Sequence, residues 1–151
     1  IACNYHIDAN KSLGTDYSLQ IIKWDPKYLI EIHGHAGKKL GNSKYPRSPE
    51  ESKLGIEISS GNDDKNDFAV KFASLLQKKL AATPELNNIT VNGDFKTLRF
   101  QAKSTPTITS GAWKALHIEL PPVLRIDGKD LPSTADNFID LLSETITETC
   151  I

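Results

Sequence analysis

Apolar residues recur along this chain in two different periods. From Tyr28 to His33 they alternate, so that Tyr28, Ile30 and Ile32 share one face of an extended segment and Leu29, Glu31 and His33 share the other. From Asp67 to Leu80 the period lengthens. Phe68, Phe72, Leu75, Leu76 and Leu80 fall at helical spacing with lysines between them, which predicts an amphipathic helix that Thr83-Pro84 ends. A second helix is predicted over Thr134 to Thr147, with Ala135, Phe138, Leu142 and Ile146 facing inward. Further strands are read at Tyr17 to Lys23, Leu54 to Ser59 and Ala115 to Leu120, the last stopped by Pro121-Pro122. Ile89 to Val91, the turn Asn92-Gly93 and Lys96 to Gln101 read as a short strand, a reversal and another strand.

Strands alternating with helices imply an α/β fold with a mixed or largely parallel sheet flanked by helices. In such folds the chemistry sits beyond the carboxyl ends of strands, on loops. Two loops stand out: Gly34 to Ser52, with no apolar periodicity, and the Thr-, Ser- and Gly-rich Ser104 to Gly111. The length of 151 residues fits a single domain, residues 1–151. A net charge of −1 supplies no field that would draw nucleic acid or an anionic membrane, and no apolar run approaches the roughly 18–20 residues of a membrane span. Neither class of partner is therefore expected. The chain opens on Ile1 without a methionine, so further sequence upstream is expected. Cys3 and Cys150 are too few for a four-cysteine zinc site; they read as free thiols or as a terminal disulfide.

His33-Gly34-His35 carries the first candidate chemistry. Gly34 lets the backbone turn just after the strand, and a neutral imidazole at a strand end is a good zinc ligand. His33 and His35, at i and i+2, are the candidate metal ligands; the plainer alternative is a hydrogen-bonded histidine closing a core strand. In Leu116-His117-Ile118-Glu119-Leu120, the three apolar residues share one face and His117 and Glu119 the other. A half-buried carboxylate there is costly unless paired or at work, and burial would raise its pKa toward values useful to a general base. Glu31 and Glu57 have the same character and suit cross-strand pairs or the support of a histidine. The basic loop from Lys38 to Arg47 offers Arg47 for bidentate contact with a carboxylate, and Asp8-Ala9-Asn10-Lys11 is a polar cluster or an ordinary turn. Nucleophile-elbow, phosphate-loop and dinucleotide fingerprints are absent.

Taken in order, Asp8-Ala9-Asn10-Lys11, Glu31-Ile32-His33-Gly34, Glu57-Ile58-Ser59-Ser60-Gly61, Thr107-Ile108-Thr109-Ser110-Gly111 and Leu116-His117-Ile118-Glu119 to Arg125 resemble the motifs of the N-formylglutamate amidohydrolase family. That resemblance implies a zinc-carboxypeptidase-like fold of the phosphorylase/hydrolase type and a zinc-dependent amide hydrolase. It makes His33 a zinc ligand, Glu119 the general base that activates water, and Asn10, Lys11 and Arg125 contacts of a small or peptide-like substrate bearing a carboxylate. It also implies that the chain is the C-terminal portion of a longer hydrolase, N-terminally truncated. In the family a further histidine and glutamate ligand lie upstream of the Asn-Arg element, where this chain has only Ile1 to Ile7. The zinc site is accordingly expected to be incomplete. The alternative is a non-catalytic binding domain that kept the fold.

Overall fold

A computed structural model describes residues 15–35, 55–110, 112–124 and 133–150. Within them the chain runs α1 (Asp16–Trp24), β1 (Tyr28–Gly34), β2 (Ile56–Ser59), α2 (Asp67–Ala81), β3 (Val91–Asn92), a short α3 (Pro106–Thr109), β4 (Lys114–Leu120) and α4 (Ser133–Cys150). Single 3-10 turns cover Asp63–Lys65 and Pro122–Leu124. The four strands form one sheet in the order β1-β4-β2-β3. β1 runs parallel to β4, β2 antiparallel to β4, and β3 parallel to β2. The architecture is thus α/β with a mixed sheet and helices on both faces. None of the described helices is long and apolar enough to cross a membrane.

The alternation read in β1 and β4 sorts the sheet into two unlike faces. Ile56, Ile58, Leu116, Ile118 and Leu120 turn toward α2 and α4, where Phe72, Leu76, Leu80, Phe138 and Leu142 complete the main core. Most of the predicted inward residues of both long helices meet there, with Phe68 and Ile146 partly buried at its margin; Ala135 is buried outside this cluster, and Leu75 is only half-buried and not part of it. Lys79 links the outer faces of these helices through Glu144 and Glu148 at 2.9 and 2.7 Å. Exposed pairs of this kind contribute little. The opposite face is covered by a smaller cluster of Ile21 from α1, Leu29, Ala115 and Ile108. Beyond that cluster the face turns polar.

Two predicted strands are something else. Tyr17 to Lys23 is helical, because Thr15 and Ser18 form a capping box: the Thr15 hydroxyl accepts from the Ser18 N–H, and the Ser18 side chain accepts from the Thr15 N–H. Asp16 in the first turn and Lys23 in the last suit the helix dipole, and Asp25 ends α1 in the left-handed region at φ 44°. Lys96 to Gln101 is irregular. The N–H groups of Arg99 and Phe100 donate to the Glu57 carboxylate at 3.0 and 2.8 Å, and Ser59 Oγ donates to the Gln101 carbonyl at 2.7 Å. Side chains of β2 therefore take the hydrogen bonds that a ladder would have used. Gly55 packs its Cα against Thr90, whose carbonyl oxygen lies 2.0 Å from where a Cβ would stand, so only glycine admits the Ile56 N–H to Thr90 carbonyl bond.

The division of α2 into a core face and a solvent face has a measurable consequence. Phe72 is fully buried whereas Val70 is 45 % exposed. Phe72→Ala is expected to cost about 3–5 kcal/mol in urea unfolding, and Val70→Ala no more than about 0.5 kcal/mol. Equal costs would mean that α2 is seated on a different face.

Candidate metal centre

The parallel register of β1 and β4 sets Glu31 opposite His117 and His33 opposite Glu119. Residues opposed across a ladder point to the same face. A Glu-x-His strand thus lies against a His-x-Glu strand, and four ionisable side chains meet on the face away from the main core. β2 brings Glu57 opposite Glu119 and Ser59 opposite His117 from the other side. Glu31, His117 and Glu119 are buried, and His33 lies at the more open edge.

Each group is held from a definite direction. Tyr17 Oη and Thr107 Oγ1 both donate to Glu31 Oε1, at 2.8 and 2.6 Å. Its other oxygen, Oε2, lies 3.5 Å from His33 Nε2. Thr107 is held in turn by the Trp113 indole N–H, which donates to its carbonyl at 2.7 Å. The rings of His33 and His117 stack with centroids 4.4 Å apart. His117 Nε2–H donates to Glu119 Oε1 at 3.0 Å. That bond leaves two buried atoms with no hydrogen-bond partner among the described residues, His117 Nδ1 and Glu119 Oε2.

Ligand atoms of Glu31, His33 and His117 all lie within 4.8 Å of one another, a group that could hold a metal ion. Tetrahedral zinc with bonds of about 2.0–2.1 Å sets its ligands about 3.3 Å apart, so closing this group on one ion would draw the three side chains together and tilt the two stacked rings toward it. Two imidazoles and a carboxylate form a known donor set for a zinc site with an open position. Glu119 holds the His117 ring through Nε2, as outer carboxylates hold ligating imidazoles, and so leaves Nδ1 as the nitrogen available to an ion.

Of the residues singled out from the sequence, His33 and Glu119 are brought together as register partners. His35 is turned elsewhere: its Nε2 lies 2.9 Å from the Gly55 carbonyl oxygen, and its ring stacks on Phe100. Asn10, Lys11, Arg47 and Arg125 lie outside the described residues. Glu31 and His117 were not read as ligands. Their signal was the reciprocal Glu-x-His and His-x-Glu spacing, which means nothing until the two strands are known to be neighbours.

Electrostatics couple the pair. Burial by itself pushes the Glu31 carboxyl up, but hydrogen bonds from His33, Thr107 and Tyr17, with the charge on His33, outweigh it and hold the group below its ordinary 4.5. The contact with Glu31 raises His33 above its ordinary 6.5 against the effect of burial, and the negative charges of Glu119 and Glu31 add to the rise. A raised histidine contributes stability that is complete below its unfolded pKa and disappears as pH climbs through the folded value. A depressed carboxyl contributes stability that is present above its unfolded pKa and disappears as pH falls through the folded value. Metal-free protein is therefore expected to be most stable between about pH 4.5 and 6.5, with the urea midpoint falling on either side. His33→Ala should flatten the alkaline limb, and added zinc, which needs neutral imidazole, should reverse it. An alkaline limb unchanged in His33→Ala would show that another group governs it.

No protein-family model matches the chain, and no curated protein or solved structure matches it either.

Proposed function

We propose that this chain is a zinc-dependent hydrolase domain acting on amide bonds, in which Glu31, His33 and His117 hold the ion and Glu119 is the general base. One observation supports the reading: His117 Nδ1 and Glu119 Oε2 are buried with no partner among the described residues, and His117 belongs to a group of residues that could hold a metal ion. A polar atom buried without a partner costs about 1–3 kcal/mol, and an ion with its water would supply partners for both.

A zinc ion in such a site lowers the pKa of water and polarises a carbonyl oxygen. The protein's own residues divide the remaining work. Tyr17 and Thr107 occupy Oε1 of Glu31 and so leave Oε2, the oxygen nearer His33, for ligation. Glu119 uses Oε1 to fix the His117 ring, which keeps Oε2 for accepting a proton. Resemblance to N-formylglutamate amidohydrolases supplies the substrate class, an amide bearing a carboxylate, with Asn10, Lys11, Arg47 and Arg125 as its proposed contacts. The resemblance places further ligands upstream of this chain. The group formed by β1 and β4 supports a simpler reading in which all three ligands belong to the chain itself.

Metal-stripped protein titrated with zinc and analysed by atomic emission should take up stoichiometric zinc. His33→Ala and His117→Ala should lose it. Thr107→Val, which removes one support of Glu31, should weaken zinc affinity by about 10–100-fold. Glu119→Gln should keep the metal but lose hydrolysis of N-formyl and N-acyl amino acids. Wild type that binds no zinc would sink the proposal. Zinc bound without turnover of any such amide would instead favour a binding domain.

A further inference from the structure

The charged side chains of this domain are unevenly distributed. Glu31, Glu57 and Glu119 gather on one face of the sheet. At the opposite end of β1 and β4, where Lys27 and Lys114 stand beside Tyr28, a cavity of about 450 Å³ opens between the start of α2 and α3. Its walls include Lys27, Lys65, Lys114, Phe68 and Trp113, and no acidic residue is among those that line it within the described residues. A chain of net charge −1 has here a depression of one sign only. Low-dielectric walls of one charge focus the field and raise the local concentration of an oppositely charged solute.

Three features separate this cavity from an ordinary solvated patch. The fold holds two of the lysines together. The Lys114 N–H donates to the Lys27 carbonyl at 3.1 Å, and both ammonium groups lie over the Tyr28 ring, at 5.2 and 5.7 Å from its centroid. Among the described residues none of the three lysines has a carboxylate partner, unlike Lys79 on the far side of α2. Finally, the hydroxyls of the lining are already committed. Ser60 Oγ lies 2.8 Å from Asn62 O and 3.0 Å from Asn66 Oδ1, between which its one proton is shared, and Thr109 Oγ1 donates to Thr105 O. The ammonium groups, with the Asn62 carboxamide, are thus what remains to meet a ligand, next to the apolar surfaces of Phe68 and Trp113. The Trp113 ring is fixed by its indole bond to Thr107.

We infer that this cavity is a binding site for a small organic anion: a phosphate or carboxylate held by Lys27, Lys65 and Lys114, on an aromatic or apolar body lying against Trp113 and Phe68. Its volume falls within the range of small-molecule sites. The inference does not rest on the metal reading, since it shares no residue with the group of Glu31, His33 and His117.

The chain holds two tryptophans, Trp113 in the cavity wall and Trp24, 66 % exposed on α1. Their two indole N–H signals in a proton–nitrogen correlation spectrum, assigned with Trp24→Phe, give a probe and an internal control. Titration of the intact chain with phenyl phosphate should move the Trp113 signal saturably and leave Trp24 in place. Benzoate run in parallel tells whether phosphate or carboxylate is preferred, and phenol, which lacks the charge, should move neither signal. A Lys65→Ala/Lys114→Ala double variant should bind about tenfold or more weakly, Lys114→Arg should bind nearly as wild type, and both should keep the wild-type urea midpoint. Raising ionic strength should weaken binding to wild type, a readout that needs no variant. A Trp113 signal that stays still with both anions, that follows phenol equally, or that saturates alike in the double variant would overturn the inference.

Discussion

Every feature of the polar face depends on the register between β1 and β4. Parallel pairing of Tyr28 with Lys114 fixes the pairs that follow, through Glu31 with His117 to His33 with Glu119. A slip of one residue would turn Ile30 and Ile32 toward the polar face and put Glu31 and His33 into the main core. The register is secured from both sides. On one face Leu116, Ile118 and Leu120 lock β4 into the core beneath α2 and α4. On the other, Leu29 and Ala115 sit under Ile21 and Ile108. The ionisable residues hold their places because apolar neighbours two positions away are held in theirs.

The covering elements of the polar face do more than exclude water. α1 contributes Ile21 to the small apolar cluster and, one turn earlier, Tyr17 to the Glu31 carboxylate. α3 repeats the arrangement with Ile108 and Thr107. In each case an apolar residue seats the element and a hydroxyl from the same element orients the carboxylate. Trp113 ties α3 to the start of β4, so the support of Glu31 is continuous with the wall of the lysine-lined cavity at the other end of these strands.

Local patterning revealed the face on which each candidate lies but not its neighbours. Period-two alternation was enough to put His33 with Glu31 and His117 with Glu119, and helical spacing was enough for α2 and α4. Which strands are adjacent is a property of the sheet, and some eighty residues separate β1 from β4. The donor set of Glu31, His33 and His117 was therefore hidden in two motifs that each looked half complete. Errors elsewhere have equally specific causes. Leu19, Ile21 and Ile22 suggested a strand, yet only Ile21 is buried; the decisive signals were Thr15 and Ser18, a local capping pair that outweighs the apolar cluster. Lys96 to Gln101 has strand composition, but the carboxylate of Glu57 captures its N–H groups, a tertiary effect that no local pattern contains.

Energetics make this polar face a poor source of stability. Ionisable groups buried in pairs are weak stabilisers, and well-packed apolar residues of similar volume usually serve as well or better. Glu57 escapes that objection, because it satisfies backbone N–H groups that would otherwise be lost. Glu31 escapes it only in part: three donors surround it, but two of them converge on one oxygen. His117 and Glu119 do not escape it at all, since each spends one atom on the other and buries the second without a partner among the described residues. A pair retained for stability would be expected to complete its hydrogen bonds within the fold. Under the proposed metal reading, a divalent ion accompanied by water would supply partners for both open atoms, on the sheet face that also carries Glu31 and His33.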